Sequence, residues 1–345
     1  MNIFILFVVD LFALFSVYLV LNLALNFQLG YGGVPNFGLV LSFTGGAMVM
    51  GWLPIRILGW LFKIPESLMS NVAGNSSIIA SIINTNLQTN PLLGLGILII
   101  TLILGMAFGA FLGFISSLPA IRLKSDYLAI SLLALGVILY YIGLNYFPLV
   151  GGTLGVVVPD LYTYFGINRY IIVTVIFFII IVLLIYILTL IVNSPYGRVL
   201  RAMRDNEIAA SSMGKNVIKI RMQSMVIGSM IAALAGGMYA SYNAYFGIAG
   251  YDMSSWTFIP WLMVLFGGLA NNYGVILGTF IYVTLEKLIA YFQYNLTFLP
   301  FNVIWLQYIL LGFLVLIILI YRPKGLLPEK PSQTLSKNKV KELKS

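Results

Sequence analysis

The chain contains no cysteine and no histidine, and charged side chains make up only 8% of its 345 residues. Without thiols, disulfides and thiolate nucleophiles are excluded; without imidazole, so are its acid/base and haem-ligand roles. So little charge excludes a soluble globular surface, because such proteins carry about a quarter of their residues as Asp, Glu, Lys or Arg. The phosphate-cradling pattern G-x-x-x-x-G-K-[ST] is missing as well, so any nucleotide must be bound elsewhere. No His/Cys group or paired-carboxylate constellation marks a catalytic centre, and no metal or cofactor is expected. What is present is apolar: 61% of the chain is hydrophobic and mean hydropathy is +1.01.

The apolar residues come in runs long enough to cross a hydrocarbon layer about 30 Å thick, which takes about 20 helical residues. Candidate spans are 3–27, 37–61, 91–118, 127–147, 168–192, 222–246, 256–272, 275–292 and 302–321. The expected fold is an all-α, polytopic membrane bundle of about 8–10 transmembrane helices. Residues 1–321 form one transmembrane domain and 322–345 a basic tail. The N-terminal run lacks a basic start and a small-residue cleavage site, so it reads as a retained spanning helix with Asp10 unusually placed inside it.

Net charge is +9, which on its own would suit nucleic acid or anionic lipid. The distribution says otherwise. Residues 193–221 carry +4 and residues 322–345 carry +5, while the remaining six bases and six acids cancel. Basic residues in short loops stay on the cytoplasmic side, so both stretches belong there, with Arg122 and Lys124 in a further inside loop. Loops at about 62–90 and 148–167 then fall outside, as do the N-x-S/T triplets at Asn75 and Asn295, which are glycosylation acceptors or chance occurrences. The second span is interrupted by Gly30, Gly32, Gly33, Pro35, Gly45 and Gly46. Such glycines mark either a broken, cavity-lining segment that leaves the N-terminus inside, or close helix packing.

The basic segment 193–221 has its own punctuation. Ser194-Pro195 predicts a helix start, since serine accepts from first-turn amides and proline has a preset φ. Asp205-Asn206 offers a second cap, placing Glu207 in the first turn of a short helix to Met213, and Gly214 ends it. Ala209, Ala210, Ser211 and Ser212 would form a small-residue face that another surface can approach closely. The alternative is a plain solvated loop.

SPYGRVLRAMRDNEIAASSMGKNVIKIR, from Ser194 onward, resembles the cytoplasmic "EAA" coupling region of ABC importer permeases, in its branched-chain amino acid permease version. Four further stretches are similar to that family in the same order: RLKSDYLAISLLALG (122–136), LVGGTLGVV (149–157), VLFGGLANNYGVILG (264–278) and YRPKGLLP (321–328). NLALNFQLGYGGVPNFGLVLSFTGGAM (22–48) follows more loosely. One departure is the run Pro35-Asn36-Phe37-Gly38, where many relatives carry a histidine.

The resemblance implies a permease subunit that forms a translocation pathway for branched-chain or related amino acids. It implies three kinds of partner: cytoplasmic ABC ATPase subunits, a second homologous permease and an extracellular solute-binding protein, all at the cell membrane of a prokaryote. An Ile- and Asn-rich, cysteine-free composition fits an AT-rich genome, archaea included. The coupling residues would be Arg204, Asp205, Asn206, Glu207, Ile208, Ala209, Ala210 and Gly214. Polar or small groups would line the pathway, with Asn22, Gln28, Asn36, Ser42, Thr44 and Thr153 as candidates; each has helix-packing hydrogen bonding as its alternative. Urea or short amides are alternative cargoes. A proton- or ion-coupled secondary transporter is the alternative of another class, disfavoured because coupling needs carboxylates or histidines that change protonation, and the spans offer only Asp10 and, near an outer helix end beside Lys287, Glu286.

Overall fold

A computed structural model describes residues 3–123, 125–292, 304–322 and 325–329. Lys124, the Asn295 triplet and all tail lysines lie outside these residues. Among the described residues the fold is helical apart from one two-residue β-pair. In order it forms α1 (Ile3–Leu25), α2 (Leu39–Leu61), α3 (Glu66–Met69), α4 (Ser76–Leu87), α5 (Pro91–Arg122), α6 (Ser125–Asn145) and α7 (Phe147–Val150). Then come β1 (Val156–Val157), α8 (Arg169–Asn193), α9 (Pro195–Asp205), α10 (Glu207–Ser212), α11 (Val217–Asn243), β2 (Tyr245–Phe246), α12 (Ile259–Gly267), α13 (Asn272–Phe292) and α14 (Ile304–Tyr321).

Seven helices among the described residues are long and apolar enough to cross a membrane. The structure corrects the expected spans in three places. Span 1 runs on to Tyr31 through a π-helical turn over Asn26–Tyr31. The expected span 256–272 is only the short apolar stretch Ser254–Gly267, about 21 Å at 1.5 Å per residue and short of a full crossing. It stops because Gly268 adopts φ 119°, which only glycine takes readily, so that the chain turns at once into α13. The segment 62–90, expected as an outside loop, carries two helices, α3 and α4, and Ile79, Ile83 and Leu87 of α4 are buried.

In the second segment, Gly30, Gly32, Gly33 and Pro35 lie in the π turn and the non-helical stretch before α2, while Gly45 and Gly46 lie inside it. α2 is a continuous 23-residue helix, buried along most of its length. Its glycines sit where other backbones approach: a Cβ on Gly46 would lie 1.9 Å from the Ala233 carbonyl oxygen, and one on Gly236 would lie 1.8 Å from that of Phe43. Gly109 and Gly113 of α5 meet Ala233 and Ser229 of α11 in the same way. α11 therefore packs most extensively against α5 and α2. Lipid tails are as apolar as leucine, so such helices gain little from hydrophobic burial and are held by close van der Waals contact, which small residues allow.

The two ends of the bundle differ. At one end Arg169, mostly buried, pairs with Asp160 at 2.6 Å and donates to the Tyr242 carbonyl at 2.9 Å. There β1 and β2 pair antiparallel, Val156 with Phe246. Gly151, Gly152 and Gly155 all take positive φ, shaping the tight turn that carries the exposed Thr153. Asn75 donates its amide to the Leu68 carbonyl at 3.1 Å. The other end gathers the basic segment, the π turn after α1, the end of α5 and residues 325–329.

Candidate functional site: the basic end and its short helix

The sequence punctuation of residues 194–217 appears atom for atom in the structure. Ser194 caps α9, its hydroxyl accepting from the Gly197 amide at 3.5 Å. Asn206 caps α10 through the Ala209 amide at 3.0 Å, and Asn216 caps α11 through the Lys219 amide at 3.0 Å. Gly214 takes φ 74°, and the amide of Lys215 reaches back to the Ala210 carbonyl at 3.2 Å, closing α10 with a left-handed residue. The helix ends at Ser212, one residue earlier than expected, leaving Met213 as its C-cap.

The small-residue face is corrected. Ala210 is buried against the body of the protein, while Ala209, Ser211 and Ser212 are exposed. What stands out on the free side is Ile208 at 80% and Met213 at 82% exposure, two large apolar side chains flanking the small ones. Met213 escaped sequence reasoning because its outward aim depends on where the left-handed turn leaves the chain.

Two arginines fix this segment from behind. Arg221 pairs with Glu207 at 2.7 Å and donates to the Ala120 carbonyl at the end of α5 at 3.0 Å. Arg204 donates to the Gly30 carbonyl in the π turn at 2.7 Å and pairs with both Asp205 and Glu329, each at 2.9 Å. Burial works to lower the Arg204 pKa, but the hydrogen bonds to Glu329 and Asp205 outweigh it and hold it above its ordinary value. Gly33, at φ 67°, leaves room for this arginine, since a Cβ there would lie 2.8 Å from its side chain. Glu329 arrives because residues 325–329 are docked: Leu326 and Leu327 donate to the Phe266 and Gly267 carbonyls, each at 3.0 Å. Asn271 adds bonds to the Leu327 and Pro328 carbonyls at 3.1 and 3.2 Å. Arg221 and Glu207 thus tie the short helix to α5, while Arg204, on the preceding α9, ties the segment to the π turn after α1 and to the chain's last described residues.

Replacing Arg204 with Ala removes all three links. The expected result is faster hydrogen exchange across residues 205–214 and 325–329 with unchanged protection in the centre of α11; unchanged exchange at both segments would contradict the role assigned to this side chain.

The expected pathway residues within the spans are all buried. Asn22 donates to Thr279 Oγ1 at 2.7 Å and contacts the Met263 sulfur at 3.0 Å, while its own Oδ1 has no partner. Gln28 donates to the Met225 carbonyl at 3.0 Å and accepts from Asn36 at 2.9 Å; Asn36 Oδ1 in turn accepts from the Gly38 amide at 2.8 Å. These bonds join α1 to α12 and α13, and the π turn after it to α11 and to the loop before α2. Ser42 and Thr44 lie buried on α2, and Thr153 stands apart at the opposite end of the molecule. The six candidates therefore do not form one cluster. Asn26 was not among them, yet it accepts from the Ala270 amide at 2.8 Å and donates to Asn272 at 3.0 Å, anchoring the turn before α13.

Residues 7–319 match the family described as branched-chain amino acid transport system, permease component. The chain belongs to that family. It is 37% identical over 322 residues, 92% of each chain, to a Methanocaldococcus jannaschii protein named "Probable branched-chain amino acid transport permease protein LivM". It is 25% identical over 356 residues to an Escherichia coli protein named high-affinity branched-chain amino acid transport system permease protein LivM, covering 96% of this chain and 72% of that one. A Salmonella typhimurium protein of the same name is 25% identical over 360 residues, with 96% and 73% covered. No solved structure matches the chain. As a member of this permease family the chain is a multi-pass membrane transport subunit and not an enzyme.

Proposed function

We propose that this permease is the membrane subunit of an ATP-driven importer for branched-chain or related amino acids, and that α10 is its contact with cytoplasmic ABC ATPase subunits. The single observation that carries this reading is the geometry of α10. It is capped at both ends, held by the Arg221–Glu207 pair, follows directly on α9, which Arg204 anchors, and presents Ile208 and Met213 outward with only small side chains between them. A helix of that kind moves as a unit when a partner pushes it, and the two arginines carry the displacement to α1, α5 and the segment beside α12. The basic residues of 193–221 support a cytoplasmic side for this end. The other partners are a second homologous permease, across which the pathway is completed, and an extracellular solute-binding protein that selects the cargo.

The test is uptake by the assembled importer in proteoliposomes. Glu207→Ala removes the acid that holds Arg221, and Ala209→Trp fills the gap between the two apolar side chains. Both are expected to reduce ATP-driven uptake of leucine, isoleucine and valine at least about tenfold while the chain remains inserted and monodisperse. Normal uptake in both variants would remove α10 from the coupling path, and a wild-type complex that moves none of the three amino acids would overturn the cargo.

A further inference from the structure

At the end of the bundle opposite α10 there is a cavity of about 270 Å³ between α1, α11, α13 and the π turn Ser254–Phe258. That is at the small end of ligand sites, which start at about 300 Å³ for drug-sized molecules, so it suits a small solute. Three ionisable groups reach it: Asp10, Glu286 and Lys287. Asp10 and Lys287 pair with each other, and the Tyr242 hydroxyl also donates to Asp10 at 3.1 Å, so these two charges are satisfied within the protein. Glu286 is not. Its Oε2 is fully buried and has no hydrogen-bond donor. A buried carboxylate oxygen without a donor is costly.

The rest of the wall is aromatic. Tyr18 and Trp256 stack with ring centroids 5.0 Å apart, and Tyr239 lies 4.6 Å from Trp256. The Trp256 indole N–H is given to the Gly250 carbonyl at 2.7 Å and its ring is stacked on by Phe43 at 4.0 Å as well as by Tyr18, so it contributes only a rigid apolar part of the cavity wall. The cavity thus sets an acceptor without a donor beside aromatic side chains, which cover apolar substituents.

We propose that this cavity binds a small primary ammonium ligand with an apolar substituent, Glu286 accepting from the ammonium and the Tyr18–Trp256–Tyr239 wall covering the substituent. Resting on the amino acid reading above, it is an entry site for the carried amino acid, outside the set Asn22, Gln28, Asn36, Ser42, Thr44 and Thr153. A primary ammonium group could also be presented by an ethanolamine lipid headgroup, and the two sources separate experimentally.

The test uses the assembled importer in nanodiscs of phosphatidylcholine, with leucine, 3-methylbutylamine and 4-methylpentanoate as probes of calorimetric binding. Leucine and the amine are expected to bind, and 4-methylpentanoate, which lacks the ammonium, is expected to bind at least tenfold more weakly. Glu286→Gln should weaken leucine and amine binding at least tenfold, and Glu286→Asp, which keeps the charge, should weaken them less. Equal binding of 4-methylpentanoate to the wild type overturns the proposal whether or not the variants fold, as does undiminished binding to Glu286→Gln. Adding phosphatidylethanolamine is expected to leave leucine affinity unchanged; if instead it abolishes leucine binding in the wild type only, the cavity is a lipid site. Wild-type uptake of branched-chain amino acids in the same preparation tests the functional reading separately, since uptake can persist when the cavity assignment fails.

Discussion

The double substitution Ile208→Asp, Met213→Asp is expected to abolish ATP-driven uptake and to leave the permease folded. Both side chains are more than three quarters exposed in the free subunit and touch little of its core, so stability should change by less than about 0.5 kcal/mol, the usual range for exposed sites. In complex with a motor the situation reverses. Burying each side chain against a partner contributes roughly 1.5–3 kcal/mol, and a carboxylate at the same place must be desolvated instead. Losing even the lower value at both positions is worth about a hundredfold in affinity. Co-purification of ATPase subunits with the tagged permease measures the loss, and thermal unfolding in detergent checks that the chain is intact. An importer that still assembles and pumps with both aspartates would show that the exposed apolar pair is not the contact.

A second large effect is expected at the crossing of α2 and α11. Gly236→Leu places a Cβ 1.8 Å from the Phe43 carbonyl oxygen, and what it meets is backbone, which cannot swing aside as a side chain can. Overpacking in a dense core costs typically 1–3 kcal/mol when side chains can adjust, so here the expected loss exceeds about 3 kcal/mol and little monodisperse protein is recovered. Gly96→Leu is the control. A Cβ at Gly96, on α5, meets nothing within 4 Å, and the variant is expected to behave as wild type in size-exclusion chromatography and thermal unfolding. Equal behaviour of the two variants would remove close α2–α11 contact as the source of stability.

The punctuation of the α9–α11 segment was legible because capping is local. Ser194, Asn206 and Gly214 each act on amides or carbonyls within a few residues of themselves, so spacing along the chain is enough to place them, and the Asn216 cap of α11, not among the sequence expectations, is of the same kind. Spans of 20 or more apolar residues were legible for the same kind of reason, since hydrocarbon thickness sets a length that any single helix must meet alone. The short stretch Ser254–Gly267 was misjudged because its apolar run continues through Leu269 and Ala270, and hydropathy does not see the left-handed turn that cuts the helix at Gly268.

The sequence by itself determined the membrane class, the division of charge between the two basic stretches, the family, and the position of the short capped helix. Each of these depends on composition or on neighbours within a turn or two. Only the tertiary structure decided which side chains α10 presents, that Arg204 joins Gly30 to Glu329, that the glycines of α2 serve packing, and that Glu286 is left without a donor while Lys287 turns to Asp10. Those outcomes join residues up to 277 positions apart, and a hydrogen bond or ion pair of about 3 Å depends on the packing of several helices at once.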